Sequence, residues 1–318
     1  MISARLATNV LYPFRLADGG VLLIDAGPDI EGSWHDLAAQ LRASNVALEE
    51  VRTVLVTHAH ADHAGLAAHW AAEGAQVLCG PADLDALREG AEGYARSRHL
   101  REETLRRHGC PPDVLERIAS RPRAALGWAA CADVEAVEDG ATFELDGGGA
   151  LRVRLAPGHT PGNLVALIED EAGARTLCSG DTLLPETIPT PGLHFPAWGE
   201  GERWPSLPPF LASVEALNAL EIERVLPGHG EPVETPQRLF ERFEVHHARR
   251  ASRIRALLEE RPDSAFGLAR RLFRRLPEER LGQALTEMIG QLDVLVASAE
   301  VMLEPDRNGT LVAELDAG

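Results

Sequence analysis

The sequence predicts an α/β (α+β) protein in which amphipathic helices separate buried strands. Short apolar runs rich in β-branched residues end at polar or glycine-containing turns, as residues 51–56 do before Thr57. Stretches with helical spacing, such as residues 34–42, lie between these runs. Several of the expected strands end in histidine or aspartate. Because strand ends of one sheet system converge on a shared edge, these polar ends indicate one common site.

The expected elements of the main domain, residues 1–235, follow in order along the chain. Strands are expected where apolar and β-branched residues run together, at residues 21–25, 51–56, 76–79, 142–145, 151–156, 165–168, 176–179 and 224–226. Helices are expected where apolar residues recur with helical period, at residues 34–42, 64–74 and 210–220. The strands at 165–168 and 176–179 are predicted to form a hairpin.

Residues 83–132 are predicted to form a helical insertion between two strands. Helical spacing occurs at residues 84–94, 102–108 and 114–120, and prolines at 111, 112 and 122 break it. An insertion of this length can form a lid over a pocket.

Residues 236–318 are predicted to form a smaller C-terminal domain. Helices are expected at residues 236–260, 265–276 and 281–299, followed by short strands at 301–303 and 310–315. Acidic and basic residues nearly balance in this segment, whereas domains that bind nucleic acid are usually basic. We therefore expect it to serve in packing or as a homodimer contact.

Composition limits the classes of function. The net charge is −18, which disfavours general binding to nucleic acid, and the absence of lysine excludes Schiff-base chemistry on a lysine. The four cysteines are far apart in sequence and are expected to be reduced and mostly buried. The sequence shows neither an apolar leader segment nor a run as long as a membrane span, so a cytoplasmic protein without membrane partners is expected.

The loop after residues 51–56 carries four metal-ligand side chains in six positions, namely His58, His60, Asp62 and His63. In an extended loop His58 and His60 project to the same side, while Asp62 and His63 enter a helical turn in diverging directions. One loop can therefore serve two adjacent metal ions, and imidazole and carboxylate suit zinc and similar metals. The alternative is a capped helix N-terminus with exposed histidines.

Three other strand ends carry His159, Asp181 and His229, each beside a glycine. Each of them taken alone is a weak signal, and their shared placement at strand ends is what indicates a site. Asp25 ends the first expected strand at a sharp turn. It either orients a metal-binding histidine or forms an Asx turn, and the sequence leaves both interpretations open.

These motifs resemble the metallo-β-lactamase superfamily, and they occur in its order. They are H-x-H-x-D-H at 58–63, G-H-T at 158–160, G-D at 180–181 and G-H-G at 228–230. The resemblance implies a four-layer αββα sandwich with a dinuclear metal site between the two sheets. It implies that His58, His60 and His159 hold one metal ion. It further implies that Asp62, His63 and His229 hold the second, that Asp181 bridges the two, and that Asp25 supports the site.

The resemblance also separates branches of the superfamily. True β-lactamases of this fold generally lack a bridging aspartate, so Asp181 implies a reaction other than β-lactam hydrolysis. The oxygen-reducing diiron branch has glutamate where this chain has His60, which favours hydrolysis. The tail resembles the winged helix of a branch that contains an endoribonuclease and thioesterases acting on carrier-bound polyketides.

From these observations we predict a dinuclear hydrolase in which a metal-bridging hydroxide attacks an ester, thioester or lactone carbonyl. Asp62 and Asp181 are the predicted catalytic residues, with Asp62 as proton shuttle. The predicted cofactors are two divalent metal ions, zinc before iron or manganese, and the predicted partner is a small-molecule or acyl-carrier substrate. His194 and Trp198, in the proline-rich loop, are the predicted substrate contacts.

Three other functions compete with this prediction. The same metals could serve an endoribonuclease or phosphodiesterase, which the acidic charge disfavours and the winged-helix resemblance favours. A mononuclear iron persulfide oxygenase would keep many of the same ligands. A binding protein on an inactive hydrolase scaffold would have no need of a complete ligand set.

Overall fold

The computed structural model describes residues 4–6, 8–120, 127–195, 201–277 and 280–316. Its first sheet contains six strands in the spatial order β1-β2-β3-β4-β5-β6. Their bounds are β1 Ala4–Leu6, β2 Asn9–Arg15, β3 Val21–Ile24, β4 Val51–Leu55, β5 Gln76–Cys79 and β6 Val134–Ala136. Strands β3 to β6 run parallel, so their carboxyl ends, including those before Asp25 and Thr57, lie at one edge.

The second sheet contains five strands in the spatial order β11-β10-β9-β8-β7. Their bounds are β7 Thr142–Glu144, β8 Ala150–Leu155, β9 Leu164–Glu169, β10 Arg175–Gly180 and β11 Arg224–Pro227. The predicted hairpin of β9 and β10 is present, and β10 pairs in parallel with β11. Since β9 is antiparallel to both of its neighbours, β8, β10 and β11 run in one direction and deliver His159, Asp181 and His229 to the same end.

Some helices cover the outer faces of the two sheets, and others pack into the C-terminal segment. In chain order they begin with α1 Ser33–Ala43, α2 Ala61–Ala64, α3 Ala67–Ala72, α4 Leu84–Arg96, α5 Arg98–Arg107 and α6 Pro112–Ala119. They continue with α7 Leu207–Asn218, α8 Gln237–Glu260, α9 Ala265–Leu272 and α10 Leu281–Ala297. No helix in the described ranges combines the length and apolar character needed to cross a bilayer.

Three apolar clusters define four layers. One cluster fills the space between the two sheets. It contains Leu22, Leu55, Leu151 and other residues from the inner faces of both sheets. The outer face of the first sheet packs against helices α1, α3 and α4, with Trp70 fully buried in that cluster. The outer face of the second sheet packs against α7 and α8. The predicted αββα sandwich is therefore confirmed.

The C-terminal segment has its own apolar core, to which the insertion contributes. Leu105 and Val114, from α5 and α6, pack with Leu268 and Leu285 of α9 and α10. Strands β12 Asp263–Ser264, β13 Val301–Pro305 and β14 Leu311–Leu315 form an antiparallel sheet in the order β12-β14-β13. The winged-helix interpretation and the domain boundary after residue 235 stay predictions.

Two predicted helices differ from the structure. Of the helix expected at residues 64–74, only α3 is present, and Ala64 instead ends the short helix α2. The chain turns between them at Gly65 and Leu66, where the Leu66 N–H donates to Gly27 O at 2.9 Å. The helix expected at 265–276 ends at Leu272, and a turn follows it.

The four cysteines are buried and unpaired, as predicted.

Candidate metal centre

Three histidine nitrogens converge at the edge where the two sheets meet. His58 Nε2 lies 3.0 Å from His60 Nδ1, and His159 Nε2 lies 3.1 Å from the same Nδ1. His58 and His60 come from the loop after β4, and His159 comes from the turn after β8. The three rings face one another edge to face, which brings their lone pairs toward one point.

A second group of ligand atoms lies beside the first. His63 Nε2 lies 3.3 Å from His229 Nε2 and 3.7 Å from Asp62 Oδ2. His229 Nε2 also lies 3.3 Å from Asp62 Oδ2. These three side chains come from helix α2 and from the turn after β11.

The carboxylate of Asp181 lies between the two groups. Its Oδ2 is 3.6 Å from His159 Nε2, and its Oδ1 is 3.3 Å from His63 Nε2 and 3.5 Å from His229 Nε2. Oδ1 is buried and accepts no hydrogen bond from the described residues. One side chain thus presents a different oxygen to each group.

The spacing of these atoms fits divalent metal ions. Ligands of a tetrahedral zinc site lie about 2.0–2.1 Å from the ion, which places neighbouring ligand atoms about 3.4 Å apart. The observed separations span 3.0 to 3.7 Å. The clusters His58–His60–His159 and Asp62–His63–His229 each offer three ligand atoms within 4.8 Å of one another. The residues present therefore fit two adjacent cations.

Asp25 and Thr57 fix the orientation of two of the histidines. Asp25 Oδ1 accepts hydrogen bonds from Thr57 N–H at 2.7 Å and from the Thr57 hydroxyl at 2.8 Å. The Thr57 Oγ1 also lies 3.0 Å from His58 Nδ1. Because the hydroxyl already donates its proton to Asp25, it must accept in this contact, so His58 carries its proton on Nδ1. Asp25 Oδ2 likewise lies 2.8 Å from His63 Nδ1. Each ring then presents its Nε2 toward the other ligand atoms, as in known carboxylate–histidine–metal arrangements.

A backbone hydrogen bond and a neighbouring glycine fix the orientation of His229. His229 Nδ1 donates to the backbone oxygen of Thr8 at 3.0 Å, which turns its Nε2 inward. A Cβ on Gly228 would lie 2.7 Å from the His63 ring and 3.0 Å from Asp181 Oδ1. Glycine is therefore required before His229, because a side chain there would displace two of the proposed ligands.

Burial and neighbouring charges shift the pKa values of the cluster. Burial, with the nearby histidines, lowers the pKa of His58 and His60 well below the usual value, which keeps their lone pairs available. Burial would also lower the pKa of His63, but the carboxylates of Asp25 and Asp181 outweigh it and raise that pKa. Burial would raise the pKa of Asp181, whereas His63 holds it below its usual range.

Asp83 is a site residue that the sequence analysis missed. Its buried carboxylate accepts hydrogen bonds from Ala59 N–H at 2.8 Å, the Thr160 hydroxyl at 2.5 Å and Gly162 N–H at 2.8 Å. It thereby ties the loop of His58 and His60 to the loop of His159. The sequence signal was an aspartate shortly after β5, at the same sheet edge as the other strand ends.

The two predicted substrate contacts have different outcomes. His194 lies beside the centre, with its Nε2 2.8 Å from His159 O and its ring stacked 6.4 Å from that of His60. Burial, together with the neighbouring His159, lowers the pKa of His194 to about 3, so its ring is neutral. Trp198 lies outside the described residues. A role for either residue in substrate binding stays a prediction.

The comparisons with known proteins agree with this geometry. A sequence model of the family described as "Metallo-beta-lactamase superfamily" matches residues 12–229. A Bacillus subtilis (strain 168) protein named "Probable metallo-hydrolase YqjP" is 29% identical over an alignment of 307 residues that covers 93% of this chain and 93% of that one.

Two solved structures have the same fold over nearly the whole chain. A metallo-beta-lactamase family protein from Thermus thermophilus aligns with a TM-score of 0.77 at 24% identity, covering 99% of this chain and 97% of that one. A beta-lactamase domain protein from Burkholderia ambifaria aligns with a TM-score of 0.75 at 22% identity, covering 99% and 91%. The similarity in fold therefore extends over the C-terminal segment.

Proposed function

The chain belongs to the metallo-β-lactamase superfamily, and we propose that it is a dinuclear metal-dependent hydrolase of an ester, thioester or lactone bond. The observation that carries this proposal is the position of Asp181 between two sets of three ligands, with one oxygen toward each set. A mononuclear site would need only one such set, for example His58, His63 and Asp181, so the number of bound metal ions separates it from the dinuclear site proposed here. The name of the Bacillus subtilis relative, a metallo-hydrolase, agrees with hydrolysis.

Two divalent ions bound here would supply hydroxide near neutral pH and would polarise the oxygen of the substrate carbonyl. We propose zinc, with iron and manganese as the alternatives, because the ligands are imidazoles and carboxylates without a thiolate. The chain's own contribution is orientation. Asp25, Thr57 and Asp83 hold the ligand side chains, so that little reorganisation is needed when the substrate binds.

Asp62 is the proposed proton acceptor. Its side chain is 31% exposed, more than that of Asp181 at 12%, so it borders the space that a substrate enters. Burial would raise the pKa of Asp62, but His229 and His63 hold it well below its usual range, so the carboxylate is ionised. Asn9 Nδ2 lies 3.4 Å from Asp62 Oδ2 and directs that oxygen toward the centre.

A carbonyl substrate is favoured over RNA because the net charge of −18 repels a phosphate backbone. The substrate we propose is a small molecule or an acyl group on a carrier. The endoribonuclease or phosphodiesterase remains the competing outcome of the test, since the same metals would catalyse either reaction.

The proposal is tested by assaying the zinc-loaded protein against p-nitrophenyl esters, acyl thioesters, lactones, bis-p-nitrophenyl phosphate and a short RNA. We expect turnover of at least one ester, thioester or lactone, and its loss in Asp181→Ala. Glu171→Ala, at an exposed acid in the β9–β10 hairpin, is the matched control and should keep full activity. Turnover of RNA or the phosphodiester alone would overturn the proposal.

A further inference from the structure

A cavity of about 620 Å³ lies between the helical insertion and the C-terminal segment. Helices α5 and α6 form one side, the loop at residues 190–194 another, and the first turns of α10 a third. His60 and His194 belong to its lining, so the cavity reaches the metal centre. Its volume lies within the range of about 300–1,000 Å³ that is typical of small-molecule sites.

Apolar side chains supply much of the cavity wall. Leu105, Leu115 and Ile118 come from the insertion, and Pro191 and Leu193 come from the loop. Leu105 is 7% exposed, and Leu115 and Ile118 are half-buried against the C-terminal core. A ligand that contacts these side chains gains affinity by removing apolar surface from water.

Several polar groups of the lining are already paired within the protein. Arg101 donates to Leu193 O at 3.3 Å and to Tyr94 O at 3.1 Å, and its guanidinium lies 3.9 Å above the Tyr94 ring. Gln283 Nε2 donates to Thr190 Oγ1 at 2.8 Å. These groups do not need a polar ligand to satisfy them. The wall therefore offers mainly apolar contact, although exposed Arg98 and Glu102 also border it.

We propose that this cavity binds an apolar, medium-chain acyl group, with the scissile carbonyl at the end where His60 lies. The proposal rests on the proposed function, because it assumes that the metal centre cleaves an acyl ester or thioester. It names the acyl chain, rather than the leaving group, as the part of the substrate that determines specificity. The insertion and α10 then act together as the specificity element.

The first test is a series of p-nitrophenyl esters from acetyl through butyryl and hexanoyl to octanoyl. Burying one methylene is worth about a fourfold gain in kcat/KM. We therefore expect kcat/KM to increase at each step of the series, so that the octanoyl ester has a much higher value than the acetyl ester. A flat series in an active enzyme would overturn the acyl-chain proposal while leaving the proposed function intact. Absence of all ester, thioester and lactone turnover would instead refute the proposed function.

Gly282 offers a matched pair of variants. It lies in the first turn of α10, and a Cβ there would meet Ile118 at 3.4 Å, which is ordinary contact. Gly282→Leu extends a side chain into the cavity and should lower the ratio of octanoyl to acetyl kcat/KM at least tenfold. Gly282→Ala adds only the Cβ and should keep most of that ratio. An unchanged ratio in Gly282→Leu would contradict the placement of the chain.

A binding measurement separates this proposal from catalysis. Calorimetric titration of the purified protein with octanoate and butyrate should show tighter binding of octanoate, and Gly282→Leu should abolish the difference. Arg98→Gln tests the opposing idea that a charged group is recognised. If Arg98→Gln weakened both acids equally and chain length had no effect, the cavity would be an anion site and the proposal would fail.

Discussion

Asp83 Oδ2 lies 2.8 Å from the backbone nitrogen of Ala59, so a residue after β5 holds the loop between His58 and His60. The same carboxylate accepts from Thr160 and Gly162 beside His159. Burial raises the pKa of Asp83, while these three hydrogen bonds favour its ionised form. The three ligands of the proposed first metal site therefore share one buried support.

The first prediction concerns Asp83→Asn. An amide cannot accept all three hydrogen bonds, and each buried donor left unsatisfied costs about 1–3 kcal/mol. We expect a lower free energy of unfolding and a metal affinity reduced about 10–100-fold. Urea denaturation and chelator competition measure the two effects. Asp85→Asn, at an exposed acid two residues away, is the control, and equal behaviour of both variants would contradict the assigned role.

The second prediction concerns Asp25→Asn. The amide nitrogen would face either the Thr57 donors or His63 Nδ1, so at least one hydrogen bond to the carboxylate is lost. We expect metal affinity to fall about 10–100-fold, with loss first from the group that contains His63. Titration with a chromogenic chelator follows this release. Asp36→Asn, at an exposed acid in α1, should match the wild type.

The ligand cluster could be predicted from the sequence because its members follow strands. Each of four ligands, His58, His159, Asp181 and His229, lies within four residues of the end of a strand whose apolar residues mark it. Their convergence follows from strand direction, which the apolar pattern and the turns imply. Asp83 obeys the same rule but carries no histidine neighbour to draw attention to it.

Other features depend on tertiary contacts that have no local pattern. Strand β2 contains Pro13 and does not alternate, and β6 has only three residues, so neither is evident from periodicity. The packing of Leu105 against the C-terminal core joins segments far apart in sequence. The cavity beside His60 arises from that packing. The sequence therefore predicted that the insertion can form a lid, but it did not predict which side chains line the cavity.

The third prediction concerns pH and His247, which is buried and contacts Gln291 Nε2 at 2.8 Å. Burial and the nearby His246 lower the pKa of His247 to about 4, whereas an unfolded histidine has a pKa of about 6.5. At a pH between these two pKa values, His247 is protonated in the unfolded chain and neutral in the folded protein. Stability linked to His247 is therefore fully present above about pH 6.5 and is lost as the pH falls to about 4.

Urea denaturation of wild type and His247→Gln checks this sign. Between pH 7 and pH 5 the wild type should lose about 2 kcal/mol more than the variant, because glutamine does not titrate. Metal release contributes equally to both proteins and cancels in the comparison. An equal loss in the two proteins would show that His247 does not titrate as described.

The fourth prediction separates positioning from substrate binding at His194. Its Nε2 donates to His159 O, so the neutral ring has only an acceptor left at Nδ1. We expect His194→Ala to lower kcat about tenfold or more through the His159 loop. His194→Gln, which keeps a donor, should restore much of it. A large rise in KM that is the same in both variants would instead support the substrate contact predicted from sequence.

The central claim is that seven side chains hold two metal ions, and metal analysis of the purified protein by mass spectrometry tests it most directly. We expect about two divalent ions per chain in the wild type, as in two-metal hydrolases, and about one or fewer in Asp181→Ala, which retains its circular dichroism spectrum. A single iron per chain in the wild type, or two ions and full turnover in Asp181→Ala, would contradict the account.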